Sequence, residues 1–97
     1  MFKLVFRGPV YVMLEEAYWW YEEQLPGLGD RLLEEVNICF DKLSRTPFYY
    51  SIPNVNRNYR QVILKQFPYK IVFEIVAEDV IIYAVFHTSR NMGKMFD

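Results

Sequence analysis

Apolar and polar positions change their spacing along the chain, and the changes mark its elements. Phe2, Leu4 and Phe6 alternate with Lys3, Val5 and Arg7, the period-two pattern of a half-buried strand. Gly8-Pro9 closes that run, and Pro suits the first turn of a helix. From Val10 to Gln24 the residues Val10, Met13, Leu14, Ala17, Tyr18 and Tyr21 recur at spacings of three and four, with Glu15, Glu16, Glu22 and Glu23 elsewhere around the cylinder; this predicts a helix. Leu25-Pro-Gly-Leu-Gly29 breaks it. A second helix is predicted from about Leu28 to Ser44, with Leu32, Val36, Cys39, Phe40 and Leu43 as its apolar stripe and Pro47 beyond its end. So short a link makes the two an antiparallel hairpin whose apolar faces must cover something.

The C-terminal third reads as sheet. Val62 to Phe67, Tyr69 to Val76 and Val80 to Phe86 are β-rich runs, the first two separated by Pro68 and the last two by Glu78-Asp79. Pro cannot donate to a ladder, so the chain is expected to turn at Pro68, and the last two runs form a hairpin. Three sequential strands make an antiparallel meander. The predicted class is α+β, in the order β-α-α-β-β-β, with the helical hairpin on one face of a twisted, mainly antiparallel sheet. The segment Phe48 to Arg57, three aromatics and then Ser, Pro and Asn residues, is expected to be an irregular loop.

Composition narrows the class. With 97 residues, 53% of them hydrophobic and 19% aromatic, one domain over 1–97 with a packed core is expected. The longest apolar run, Val80 to Phe86, is far below the roughly 20 residues of a membrane span. With no secretory leader pattern at the start, the expectation is a cytoplasmic protein. Cys39, the single cysteine, has no internal disulfide partner and is expected to be a buried hydrophobe rather than a reactive thiol.

The net charge of −1 argues against a chain that binds nucleic acid as a whole molecule. The charge is unevenly distributed. From Met13 to Asp41 there are eight acidic residues and one basic, Arg31, whereas from Lys42 to Lys94 there are eight basic residues and three acidic. The helical half is acidic and the sheet half basic, so a local positive surface remains available.

No spacing of His, Cys and carboxylates suits a metal, and neither a Gly-rich phosphate loop nor a nucleophile elbow is present; no cofactor is expected. His87 is the sole histidine, and a histidine invites a catalytic assignment because the residue type has an unperturbed pKa near neutrality, but a strand-end ring bonded to backbone is the simpler reading. Arg60 shares strand parity with Val62 and Leu64, which puts its stem on the apolar face and its head at the rim or on a helix carboxylate. Arg90 lies in a Thr-Ser-Arg-Asn context after the last strand, where functional groups gather. Trp19, Trp20 and Tyr21 are expected to be core, as are Phe67 and Tyr69. The helix glutamates are expected to form a solvated face.

Leu14-Glu-Glu-Ala17, Trp20-Tyr-Glu-Glu-Gln24, Pro26-Gly-Leu-Gly29, Arg60, Phe67-Pro-Tyr69 and His87-Thr-Ser-Arg90, taken in this order, resemble the RelE/ParE toxin superfamily, in particular ParE-like plasmid-stabilisation proteins. The resemblance spans nearly the whole chain. It implies a bacterial toxin of a type II toxin–antitoxin pair, with a cognate antitoxin as partner and either DNA gyrase or the ribosome and its mRNA as target. RelE-like members cut mRNA with basic side chains on the sheet and usually a C-terminal Tyr or His. After Arg90 this chain has only Asn-Met-Gly-Lys-Met-Phe-Asp, which favours the gyrase-type reading. Arg60, Lys65, His87 and Arg90 are the expected partner-binding residues, and Arg60, His87 and Arg90 the catalytic candidates if the chain is RelE-like. Met13 and Ser89 depart from the ParE-like pattern, where an acidic residue and a second Arg are common. A degenerate, non-toxic domain that binds an antitoxin is the third reading.

Overall fold

The computed structural model describes residues 1–50 and 58–89. The elements follow the expected order: β1 (Lys3–Phe6), α1 (Gly8–Gln24), α2 (Leu28–Arg45), a short 3-10 turn (Pro47–Tyr49), β2 (Tyr59–Ile63), β3 (Tyr69–Val76) and β4 (Asp79–His87). The sheet order is β1-β4-β3-β2. β2, β3 and β4 form the antiparallel meander, while β1 joins β4 in parallel, from Lys3 opposite Asp79 to Phe6 opposite Ile82.

The helices cover one face of this sheet. Ile71, Phe73, Val80, Ile82 and Val85 meet Val10 and Ala17 of α1 and Leu32, Val36, Cys39, Phe40 and Leu43 of α2 in one buried cluster. The α2 stripe is buried at every expected position. On the other face a small cluster of Val72, Ala84 and Phe86 is shielded by Tyr59, Tyr83 and Met13. The irregular register between Val72 and Phe73 lets Val85 and Phe86 follow Ile82 on their respective faces despite the change in parity.

α2 and β4 run one residue past the expected ends, at Arg45 and at Asp79 and His87, and two boundaries differ by more. α1 starts at Gly8 rather than Val10, since Pro9 needs no amide partner in a first turn. β2 occupies Tyr59–Ile63, whereas Val62 to Phe67 was the expected run; Leu64 to Pro68 is instead a turn. Leu64 N–H donates to Tyr69 O across it. The amides of Lys65 and Gln66 donate to the Glu35 carboxylate at 2.5 and 3.1 Å, so those backbone groups are satisfied by a helix side chain and not by a ladder. Of the expected loop Phe48 to Arg57, residues 51–57 lie outside the described residues.

Glu22 ties the helices together. Its carboxylate accepts from Gly27 N (3.1 Å), Gly29 N (2.8 Å) and Asp30 N (3.3 Å), supplying the acceptors that the first turn of α2 lacks. Gly27 has φ of 92°, a left-handed conformation that costs other residues about 1–2 kcal/mol. A Cβ on Gly29 would sit 2.6 Å from Tyr18 O, so glycine there allows the close helix crossing. The glutamates were expected as a solvated face; Glu22 and Glu35 depart from that because both accept backbone amides.

Candidate functional site

Between α2 and the outermost strand, β2, runs an open groove of about 650 Å³. Glu35, Ile38, Cys39 and Lys42 form its helical wall, Val62 and Ile63 its strand wall, and Tyr49 and Tyr50 one end. Ile38 (51% exposed), Tyr49 (83%) and Ile63 (56%) present apolar surface to water there. Lys42, Lys65 and Glu35 supply charge at its rim. β2 is a sheet edge among the described residues, and an edge strand beside an apolar groove can accept an added strand or an amphipathic helix.

Cys39 lies at the base of this groove and is buried. Desolvation raises its thiol pKa to about 11, against a smaller lowering by Lys42. It is a core thiol, as expected.

The predicted site residues do not converge. Arg60 is opposite Phe73 and therefore on the helix-facing side of the sheet. Its Nη1 donates to Tyr50 O at 2.5 Å and to Phe48 O at 3.5 Å, and its guanidinium lies 5.3 Å from the Phe48 ring centroid. Both of these acceptors are main-chain carbonyls, where the sequence had left the head at the rim or on a helix carboxylate. Lys65 is in the turn at the groove, pinned through its backbone amide by Glu35.

His87 ends β4, opposite Tyr69, with the two rings edge-to-face at 5.5 Å. Ser89 N–H donates to Nδ1 at 3.2 Å, and Ser89 Oγ lies 2.8 Å away. Nδ1 is thus the nitrogen that faces the Ser89 amide. This is the backbone-bonded strand-end ring of the simpler sequence reading. Arg60 and His87 are two strand spacings and four residues apart, roughly 16 Å by ideal sheet dimensions. Arg90 lies outside the described residues. No cluster of His, Cys and carboxylates able to hold a metal occurs among the described residues, and none of their helices is long and apolar enough to cross a membrane.

The aromatic residues divide. Tyr21 packs edge-to-face on Phe67 at 5.0 Å, and Phe67 is buried, as expected. Trp19 and Trp20 were expected in the core but are 57% and 56% exposed, because Ala17, seven residues on from Val10, returns to the buried face, whereas Trp19 and Trp20, nine and ten residues on, do not. Of the groove residues Lys65 was singled out from sequence as partner-binding and Cys39 as a buried hydrophobe, whereas the exposed apolar pair Ile38 and Ile63 was not. Their signal was a local mismatch: Ile38 is apolar but off the α2 stripe, and Ile63 points away from the face that holds Val62.

The fold has close counterparts. The chain superposes on the chromosomal ParDE system of P. aeruginosa with a TM-score of 0.79 at 15% identity, over 90% of this chain and 96% of that one. The intact E. coli RelBE toxin–antitoxin complex gives 0.69 at 14% identity, over 93% and 100%. The isolated E. coli RelE toxin also gives 0.69, at 13% identity over 99% and 94%. No curated protein matches the chain. The family model for the ParE toxin of the type II toxin–antitoxin system, parDE, matches residues 13–92, and the chain therefore belongs to the ParE toxin family.

Proposed function

We propose that this protein, acting in the cytoplasm, inhibits growth by binding a macromolecular target, DNA gyrase, and is silenced by a cognate antitoxin seated in the α2–β2 groove. The separation of Arg60 from His87 supports binding over RNA cleavage. Cutting RNA requires a group to activate the 2′-hydroxyl, positive charge at the phosphorane and an acid for the leaving oxygen, all at one phosphate. Arg60 donates to the carbonyls of Phe48 and Tyr50 and His87 is four residues and two strands away, which weighs against this pair meeting at one phosphate.

Induced expression without an antitoxin should arrest growth with gyrase-dependent DNA breaks, and the purified protein should inhibit supercoiling. Likeness to the isolated RelE toxin over 99% of this chain motivates the second reading, a ribosome-dependent endoribonuclease. Primer extension on translated messages separates the two: codon-associated cuts with unimpaired supercoiling would reject the gyrase reading. Growth unaffected by expression, with a stable antitoxin complex, would leave the non-toxic antitoxin-binding domain. For the groove, Ile38→Glu and Ile63→Glu should each release a co-expressed antitoxin, and co-purification of both variants at wild-type yield would remove that assignment.

A further inference from the structure

The outward side of α1 is apolar where a surface helix is normally polar. Val12 and Trp19, seven residues apart, share one meridian opposite the Val10–Leu14–Ala17–Tyr21 seam. They are each 57% exposed, with Tyr11 (65%) and Trp20 (56%) beside them. Glu15, Glu16 and Glu23 are exposed on the same helix, which has no Lys or Arg. At its border, where β1 stops at the level of Ile82 and α1 flanks the end of β4, lies a cavity of about 200 Å³ lined by Met13, Glu16, Trp20, Tyr69, Phe86 and His87.

We propose that this face is a docking surface for a basic segment of a partner protein, one of whose Arg or Lys side chains enters the cavity between the Trp20 ring and the Glu16 carboxylate. The charge decides the class of occupant. Among the described residues Glu16 is the one carboxylate lining the cavity and no Lys or Arg lines it, so a cation gains both a charge-assisted hydrogen bond and ring faces. A nucleic-acid phosphate would meet Glu15, Glu16 and Glu23 instead. The volume falls below the roughly 300 Å³ at which small-molecule pockets begin, which suits a single side chain. No residue of α1 lines the α2–β2 groove, so this surface is independent of the antitoxin assignment and both can be occupied at once.

Trp19 and Trp20 are the only tryptophans in the chain, and intrinsic fluorescence therefore reads this face directly. The probe is a helical peptide of about four turns with a Leu stripe flanked by Arg and Lys, compared with the same peptide carrying Glu in their place. The basic peptide should shift the emission saturably, with affinity weakened about tenfold in Glu16→Gln and in Trp20→Ala, the size of one charge-assisted or ring contact. Ile38→Glu should leave binding unchanged. Circular dichroism checks that the exposed-site variants are folded. Equal binding of the acidic peptide, wild-type affinity in both α1 variants, or no binding of the basic peptide by fluorescence and calorimetry would overturn the proposal.

Discussion

Gly27, Gly29 and Glu22 act as one unit at the helix turn, and each should fail in its own way. Gly29→Ala meets a main-chain oxygen of Tyr18 at 2.6 Å and the Tyr18 and Glu22 side chains at 2.8 Å, an overpacking that should cost about 1–3 kcal/mol. Gly27→Ala has open space but the wrong φ, so its loss should be about 1–2 kcal/mol. Glu22→Ala removes the acceptor of three amides and should cost about 1–2 kcal/mol, as loss of a helix cap does. Urea denaturation of the three variants checks the set; an unchanged midpoint for Gly29→Ala would refute the close crossing. Cys39 supplies a pH prediction. Its thiol pKa is raised from 9.0 to about 11 by burial, so the stability from keeping it neutral is fully present below pH 9 and is lost as pH rises through 11. At pH 8 the folded thiol should react with a thiol reagent roughly 100-fold more slowly than the unfolded chain, from thiolate population alone.

Among the elements, the β2–β3 turn depends on a helix. Glu35→Ala should leave the Lys65 and Gln66 amides without their carboxylate, costing about 1–3 kcal/mol, and amide exchange should accelerate at the turn before it does in β4. In the next hairpin Val76 faces Asp79 across Ala77, which has φ of 54°. Ala77→Gly should therefore stabilise the protein by up to about 1 kcal/mol, seen as a higher melting temperature. Arg60→Ala should lower stability by about 1–3 kcal/mol through the freed Tyr50 carbonyl, so any loss of toxicity in that variant has to be judged at matched folded protein. The elements that could be read in the sequence were those whose pattern was local. The α2 stripe, the β3 and β4 runs and the Pro-Gly break are short-range signals. The limits of β2 were not legible, since Leu64 to Phe67 is as apolar as a strand and only Glu35, some thirty residues away in sequence, makes it a turn. The outward aspect of Trp19 and Trp20 was legible in the helical spacing, since neither shares the Val10–Leu14–Ala17–Tyr21 seam, and only their aromatic character pointed to the core.

For the molecule as a whole, the charge asymmetry of the sequence becomes two differently equipped surfaces. The α2–β2 groove carries Lys42 and Lys65 at its rim, while the outer face of α1 sets Glu15, Glu16 and Glu23 among Val12 and exposed aromatic rings and has no Lys or Arg. Raised salt should weaken association at both, and more so at the α1 face if its partner is basic; titration of an antitoxin and of the basic peptide across ionic strength compares them. Site chemistry was less legible than fold for a physical reason. Arg60, Lys65, His87 and Arg90 were grouped by the family resemblance, but strand register separates Arg60 from His87 and backbone carbonyls accept from the guanidinium, while Arg90 lies outside the described residues. The parallel pairing of β1 with β4 has a temporal consequence. β1 finds its neighbour only after Asp79–Ile82, more than seventy residues later, has been made, so the sheet stays incomplete through that interval, and such distant pairing slows folding. A nascent chain of this kind would stay harmless to the cell building it until that pairing had closed.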